Sequence, residues 1–263
     1  MPGGRIVVTG AAGKLGRLLA PLLGERFPLR LCDIAPVTAA PGDEGLQGDL
    51  SDPAFARRAV AGAAGVVHLA GLVASRVSFE DTLDSNYRAV LALLEACRLE
   101  GVPRFVFASS HHIVGALPAD RQYDESAPIE PDSYYGLAKA FGEAACAMFA
   151  RRYGVRTLVI RIGNGDPEVA DARRERLWIS GRDLAQLVDI GLTAPGLTYE
   201  VVYGVSECPN ALFANDAARR LGYRPLDRAG QHRSPAFDAE TRWSAIGGVF
   251  MADELPAPFK RTR

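Results

Sequence analysis

Residues Thr9-Gly10-Ala11-Ala12-Gly13-Lys14-Leu15-Gly16 follow the pattern T-G-x-x-G-x-x-G. In front of them, Arg5-Ile6-Val7-Val8-Thr9 is a short β-branched run that reads as a buried strand. Behind them, Leu15, Leu18, Leu19, Leu22 and Leu23 recur at helical spacing as far as Glu25. Strand, glycine turn and helix in that order are the setting in which three glycines hold a dinucleotide. Gly10 permits the tight turn, Gly13 lets the backbone approach a pyrophosphate, and Gly16 lets the helix pack closely on the strand. Lys14 and Leu15 open a helix whose free N–H groups and dipole favour phosphate. Pro21 falls inside that helix and predicts a kink or an early stop.

Working outward, residues 29–33, 66–70, 104–108 and 156–161 read as further strands, and 79–99 and 135–153 as helices. This alternation predicts an α/β fold, a doubly wound parallel sheet of Rossmann type with helices on both faces. After residue 162 the pattern loosens into a helix at 182–193, a strand at 199–203 and a short helix at 215–221. A proline-containing tail from 224 reads as mostly irregular. The expected organisation is a single domain over 1–263. Residues 1–162 form the dinucleotide-binding core, and 163–263 form a small C-terminal cap that covers substrate and is too slight to stand alone.

Composition narrows the function classes. With 263 residues, 48% hydrophobic, 23% charged and a formal net charge of −1, the chain matches a soluble globular protein. It lacks the basic excess of a nucleic-acid or anionic-membrane binder. No apolar run approaches the ~18 residues of a membrane span, and the first residues run straight into a strand without the apolar region of a signal peptide. Cys32, Cys97, Cys146 and Cys208 are scattered, with no C-x-x-C pair, so free thiols in a reducing cytoplasm are expected. No Asp, Glu or Cys cluster completes a site around His111-His112, and no metal is expected.

Asp33 ends the second strand twenty residues beyond Gly13, where a carboxylate accepts hydrogen bonds from ribose hydroxyls and repels a 2′-phosphate. Ile34-Ala35-Pro36 brings no cation to offset it, so NAD is favoured over NADP. Asp49-Leu50 falls where a carboxylate reaches an adenine amino group, and Ala70-Gly71 offers a small surface for the cofactor. Tyr135-Gly136-Leu137-Ala138-Lys139 is Y-x-x-x-K on a helix, and residues four apart share a face. Tyr134 fails the same test because Ala138 follows it at that distance. An ammonium beside Tyr135 favours the phenolate; a shift of about three units needs ~4 kcal/mol. Ser109-Ser110 ends a strand on the same sheet edge, where a hydroxyl can bond a substrate oxygen. His68 reads as a satisfied core histidine and Trp178 as a packing residue. Arg173, Arg174 and Arg176 read either as a solvated charged face or as a site for an anion.

Over residues 5–165 the chain resembles the extended short-chain dehydrogenase/reductase superfamily. The resemblance rests on T-G-A-A-G-K-L-G, G-D-L at 48–50, V-H-L-A-G at 67–71, Asn86 and Y-G-L-A-K. F-A-S-S-H-H-I-V-G at 107–115, R-I-G-N at 161–164 and the arginines before Trp178 make it most similar to bacterial uronate dehydrogenases. That resemblance implies NAD-dependent oxidation of an aldohexuronate, glucuronate or galacturonate, at its anomeric carbon, giving an aldarolactone. It implies Tyr135 as base, Lys139 on the nicotinamide ribose and Ser110 on the reacting oxygen. NAD would be held by Gly10, Gly13, Lys14, Leu15, Gly16, Asp33, Asp49, Leu50, Ala70 and Gly71, with Tyr135 and Lys139. The sugar acid would meet Ser75, Ser110, His111, His112, Asn164 and Arg173, the last pairing its carboxylate. The chain departs from the family at His111, where an asparagine is usual, and at Asn164, where a serine is usual. Other roles open to the same residues are a nucleotide-sugar epimerase or dehydratase, or an NAD-binding regulator without turnover. Association into a homo-oligomer through helices beside the sheet is also implied.

Overall fold

Ile6–Thr9 forms β1, and all four residues are buried because both faces of the strand are covered. Ile6 and Val8 join one apolar cluster and Val7 the other, the period-two alternation of a strand between two helical layers. The structure, a computed structural model, describes residues 4–260. Met1–Gly3, part of the start that read as free of a signal peptide, lie outside that range.

The glycine turn leads into α1 (Lys14–Gly24), followed by β2 (Leu29–Asp33), β3 (Glu44–Gln47), α2 (Pro53–Val60) and β4 (Gly65–His68). Next come α3 (Phe79–Thr82), α4 (Ala89–Leu99), β5 (Arg104–Ser110), α5 (Tyr134–Tyr153) and β6 (Arg156–Ile162). The chain continues through β7 (Val169–Asp171), α6 (Ala172–Glu175), α7 (Gly181–Thr193) and β8 (Tyr199–Gly204). It ends with α8 (Asp216–Arg220), β9 (Arg233–Asp238) and α9 (Val249–Ala252). Seven strands form one sheet in the order β3-β2-β1-β4-β5-β6-β8, every pairing parallel. This is the Rossmann-type doubly wound sheet that the alternation predicts. The order reverses between β1 and β4, and a crevice opens at the carboxyl ends of those strands.

Leu19 and Leu23 of α1 and Leu184, Leu187, Val188 and Leu192 of α7 cover one face of the sheet. Phe55 of α2, Leu93 and Leu94 of α4 and Phe149 of α5 cover the other. Each such side chain contributes roughly 1.5–3 kcal/mol on burial. Residues beyond 162 therefore complete the sheet through β8 and its cover through α7, besides reaching over its end.

Several local expectations change. Helix α1 runs through Pro21, because Arg17 and Pro21 both face solvent and water can take the carbonyl that the proline leaves unpaired. Helix α2 escaped the apolar pattern, yet Asp52 caps it by accepting from Ala54 N at 2.9 Å, with Pro53 in the first turn. The helix expected over 79–99 is interrupted by a π-helical turn, Leu83–Arg88, which changes the rotation of the residues within it. Asn86 in that turn is buried, with Oδ1 accepting from Leu72 N at 2.7 Å and Nδ2 donating to Leu72 O at 3.0 Å. The tail is less irregular than expected: β9 pairs in parallel with β7, and α9 follows. None of the described helices is long and apolar enough to cross a membrane.

Candidate active site

A cavity of about 850 Å³ runs along the carboxyl ends of the strands from Asp33 to Phe250. Its floor at one end is the glycine turn. Gly10 has a φ of +69°, and a Cβ there would lie 2.7 Å from Ala70 N. A Cβ on Gly16 would overlap the Gly10 carbonyl, so α1 approaches β1 this closely only with glycine. Asp33 Oδ2 accepts from Ala12 N and Oδ1 from Ala35 N, both at 2.9 Å, which orients the carboxylate at the rim of the turn. Asp49, Leu50, Ala70 and Gly71 line the same end, as do Leu15 and Lys14. Lys14 pairs with Asp166, so it adds no free cation beside Asp33. The turn, the oriented acid and the elongated cavity fit a dinucleotide without a 2′-phosphate.

Tyr135 and Lys139, on the first turns of α5, are 6% and 5% exposed, so both groups are nearly dry. The helix starts there because Ser133 caps it, its Oγ accepting from Gly136 N at 3.1 Å. Ser110 ends β5, and its hydroxyl lines the same cavity as Tyr135. Burial pushes the Tyr135 phenol up to about 12, and the nearby Ser110 hydroxyl opposes the shift. Burial also pushes the Lys139 ammonium down to about 8. That ammonium lies 5.1 Å from the centre of the Phe107 ring and 5.7 Å from that of Tyr135, and a Cβ on Gly71 would be 3.6 Å from it. The Tyr135 shift therefore runs opposite to the lowering expected from Lys139, and burial is its main cause.

At the other end, His111 and His112 form a single 3₁₀ turn after β5. His111 Nδ1 lies 3.1 Å from Ile162 O, and a carbonyl only accepts, so Nδ1 carries the hydrogen. Its Nε2 then accepts from Arg173 Nη2 at 3.2 Å. Burial, with His112 and Arg173 alongside, holds His111 well below the usual histidine range. His112 Nδ1 lies 2.6 Å from Asp132 Oδ2, and its ring stacks on Phe250 at 3.9 Å. Asn164 lines the cavity and donates to Asp166 at 3.0 Å.

Two of the expected residues stand back from the cavity. Arg173 lies behind His111, with Nε and Nη2 on Ile246 O. Burial lowers its pKa to about 10, and its hydrogen-bond partners among the described residues are a carbonyl and an imidazole, with no carboxylate. Arg174, beside it, pairs with Asp171, and Arg176 bonds the carbonyls of Asn210 and Ala119. Ser75 lies beside Asp253 and does not line the cavity. His68 bonds Thr9 Oγ1 at 2.8 Å in the core, and Trp178 packs on His232 with Nε1 donating to Asp166 O. Asp132, Asp166 and Phe250 were not anticipated. Asp132 could be sought as the acid just before the helix cap, whereas Phe250 sits in a tail with no periodicity. Among the described residues, no group of three or more His, Cys, Asp or Glu is placed to hold a metal ion.

The model of the NAD dependent epimerase/dehydratase family matches residues 6–165. Over 236 residues the chain is 39% identical to a uronate dehydrogenase of Pseudomonas putida, covering 89% of this chain and 88% of that one. A mutant uronate dehydrogenase from Agrobacterium tumefaciens, solved in complex with NAD, superposes with a TM-score of 0.89 at 34% identity, over 98% of this chain and 99% of that one. The glucuronic acid dehydrogenase structure from Chromohalobacter salexigens gives 0.88 at 34% identity, over 95% and 97%.

Proposed function

The chain belongs to the NAD dependent epimerase/dehydratase family, and from that premise we propose that it oxidises an aldohexuronate at C1 with NAD. The observation that carries this reading is Arg173, a guanidinium beside the cavity whose hydrogen-bond partners among the described residues are a carbonyl and an imidazole. Such a cation favours an anion, and a carboxylate matches its fork. It lies one imidazole away from a cleft that holds Tyr135, Ser110 and Lys139.

Tyr135 takes the proton of the anomeric hydroxyl, and Ser110 donates a hydrogen bond to the same oxygen as it becomes a carbonyl. NAD, when bound, supplies the acceptor for the hydride that leaves C1. Lys139 holds the nicotinamide ribose and favours the phenolate. His111, His112 and Asn164 meet sugar hydroxyls, and Arg173 meets the carboxylate once the segment that occupies it gives way. The product is an aldarolactone.

The reading includes self-association through the outer faces of α4 and α5, supported by exposed Leu91, Leu99, Leu137 and Met148. It also includes a reducing cytoplasmic setting, supported by the free thiols Cys32, Cys97 and Cys146 in the core. Purified protein mixed with NAD and a panel of uronates is expected to accumulate NADH. Conversion of a UDP-sugar with no net NADH from any uronate would overturn the reading, as would NAD binding without turnover.

A further inference from the structure

His112 is held from several directions: Asp132 at Nδ1, the Phe250 ring stacked on it at 3.9 Å, and the His111 ring at 4.1 Å. The Asp132 side chain is 0% exposed, and a carboxylate that dry needs both oxygens hydrogen-bonded. Both are. Oδ2 faces His112 Nδ1 at 2.6 Å, and Oδ1 accepts from Ser133 Oγ at 2.7 Å. Ser133 also caps α5, so one carboxylate joins the turn that carries His112 to the helix that carries Tyr135. Glycines leave room for it: a Cβ at Gly115 or Gly247 would overlap Asp132 Oδ2.

A carboxylate oxygen accepts, so on the neutral ring Nδ1 carries the hydrogen and Nε2 is a bare acceptor. Nε2 has no protein partner among the described residues, although His112 lines the cavity with its ring 5.7 Å from that of Tyr135. We propose that Asp132 is a positioning residue that fixes this tautomer, so that His112 accepts a hydrogen bond from a ring hydroxyl of the sugar acid and sets its pose against Tyr135. The inference rests on the sugar-acid reading above. It makes the site selective, because a buried acceptor built for a hydroxyl rejects an analogue that lacks it.

Asp132→Asn tests the idea with little change of shape. Ser133 Oγ donates to the outer oxygen, so the amide keeps its oxygen there and turns its nitrogen towards His112. The nitrogen donates to Nδ1 and inverts the tautomer. The expected result is a folded protein with unchanged NAD affinity. For the preferred uronate kcat/KM falls by about tenfold to a hundredfold, and discrimination against one monodeoxy uronate is largely lost. In the wild type, a far-downfield proton resonance of the Nδ1–H···carboxylate bond is expected. It should vanish in both Asp132→Asn and His112→Gln. Wild-type discrimination in Asp132→Asn would overturn the proposal and leave Asp132 a buttress of α5, and so would absence of that resonance in the wild type. If the wild type oxidises no uronate, the functional reading fails instead, while the resonance still tests the Asp132–His112 pair.

Discussion

At Tyr135 burial disfavours the charge that the proposed chemistry requires. Burial pushes the phenol up to about 12 and the neighbouring Lys139 ammonium down to about 8, so each group is biased towards its neutral form. Lys139 is ordinarily protonated up to 10.5. Below about pH 8 the folded protein therefore carries an ammonium that the site disfavours, while the unfolded chain solvates it freely. This cost is fully present below pH 8 and fades as pH rises towards 10.5. Lys139→Met is accordingly expected to abolish turnover yet stabilise the ligand-free protein at pH 7, by on the order of 1–3 kcal/mol. The gain should shrink at pH 10. Urea denaturation at the two pH values checks this, and a Lys139→Met variant less stable than wild type at pH 7 would refute it. That Tyr135 and Lys139 share one face of α5 was legible from spacing alone. The sign of the phenol shift was not, because desolvation depends on how many other side chains close over a group.

The element that joins the site to the rest of the chain is the segment from Ile246 to α9. Ile246 N donates to Leu117 O at 2.9 Å, Gly247 N to Gly115 O at 2.7 Å, and Arg173 grips Ile246 O. Farther along, Asp253 pairs with Arg76, and Pro258 O accepts from Glu80 N at 3.0 Å. The segment is thus a strap fastened at both ends, with Phe250 laid on His112 between them. Gly248, at a φ of +59°, makes the turn, and a Cβ there would lie 2.8 Å from Arg173 Nε. Gly248→Ala is expected to displace Arg173 and raise the KM for uronate several-fold, with NAD binding unaffected. An unchanged KM in steady-state kinetics would separate the strap from Arg173. Sequence periodicity reveals elements that pack on the sheet, which is why α5 and β5 were readable. The strap is held by backbone carbonyls and single side chains from distant positions, and no local pattern encodes such partners. The π-helical turn escaped for a related reason: its residues are helical in composition, and only the tertiary bond from Asn86 to Leu72 betrays the change of register.

For the molecule as a whole, acid should act through its buried histidines. Burial takes His68 down to about 3 and holds His111 well below 6.5. Below pH 6.5 the unfolded chain binds protons that the folded protein refuses. The stability these groups contribute is complete above 6.5 and is lost as pH falls towards their folded values. Each costs up to about 1.4 kcal/mol per pH unit through that window. Unfolding free energies at pH 7, 6 and 5 should fall progressively, and equal values would exclude the effect. In the proposed function the setting of Arg173 would also govern how a turnover ends. In the proposed reaction the carboxylate lies at the far end of the sugar from C1 and leaves the chemistry unaltered. Its contact tightens substrate and lactone alike, so it lowers KM without speeding the chemical step. Product must then depart against the same grip that seated the substrate, making the accumulated lactone a competitive inhibitor and its prompt removal a condition of sustained flux.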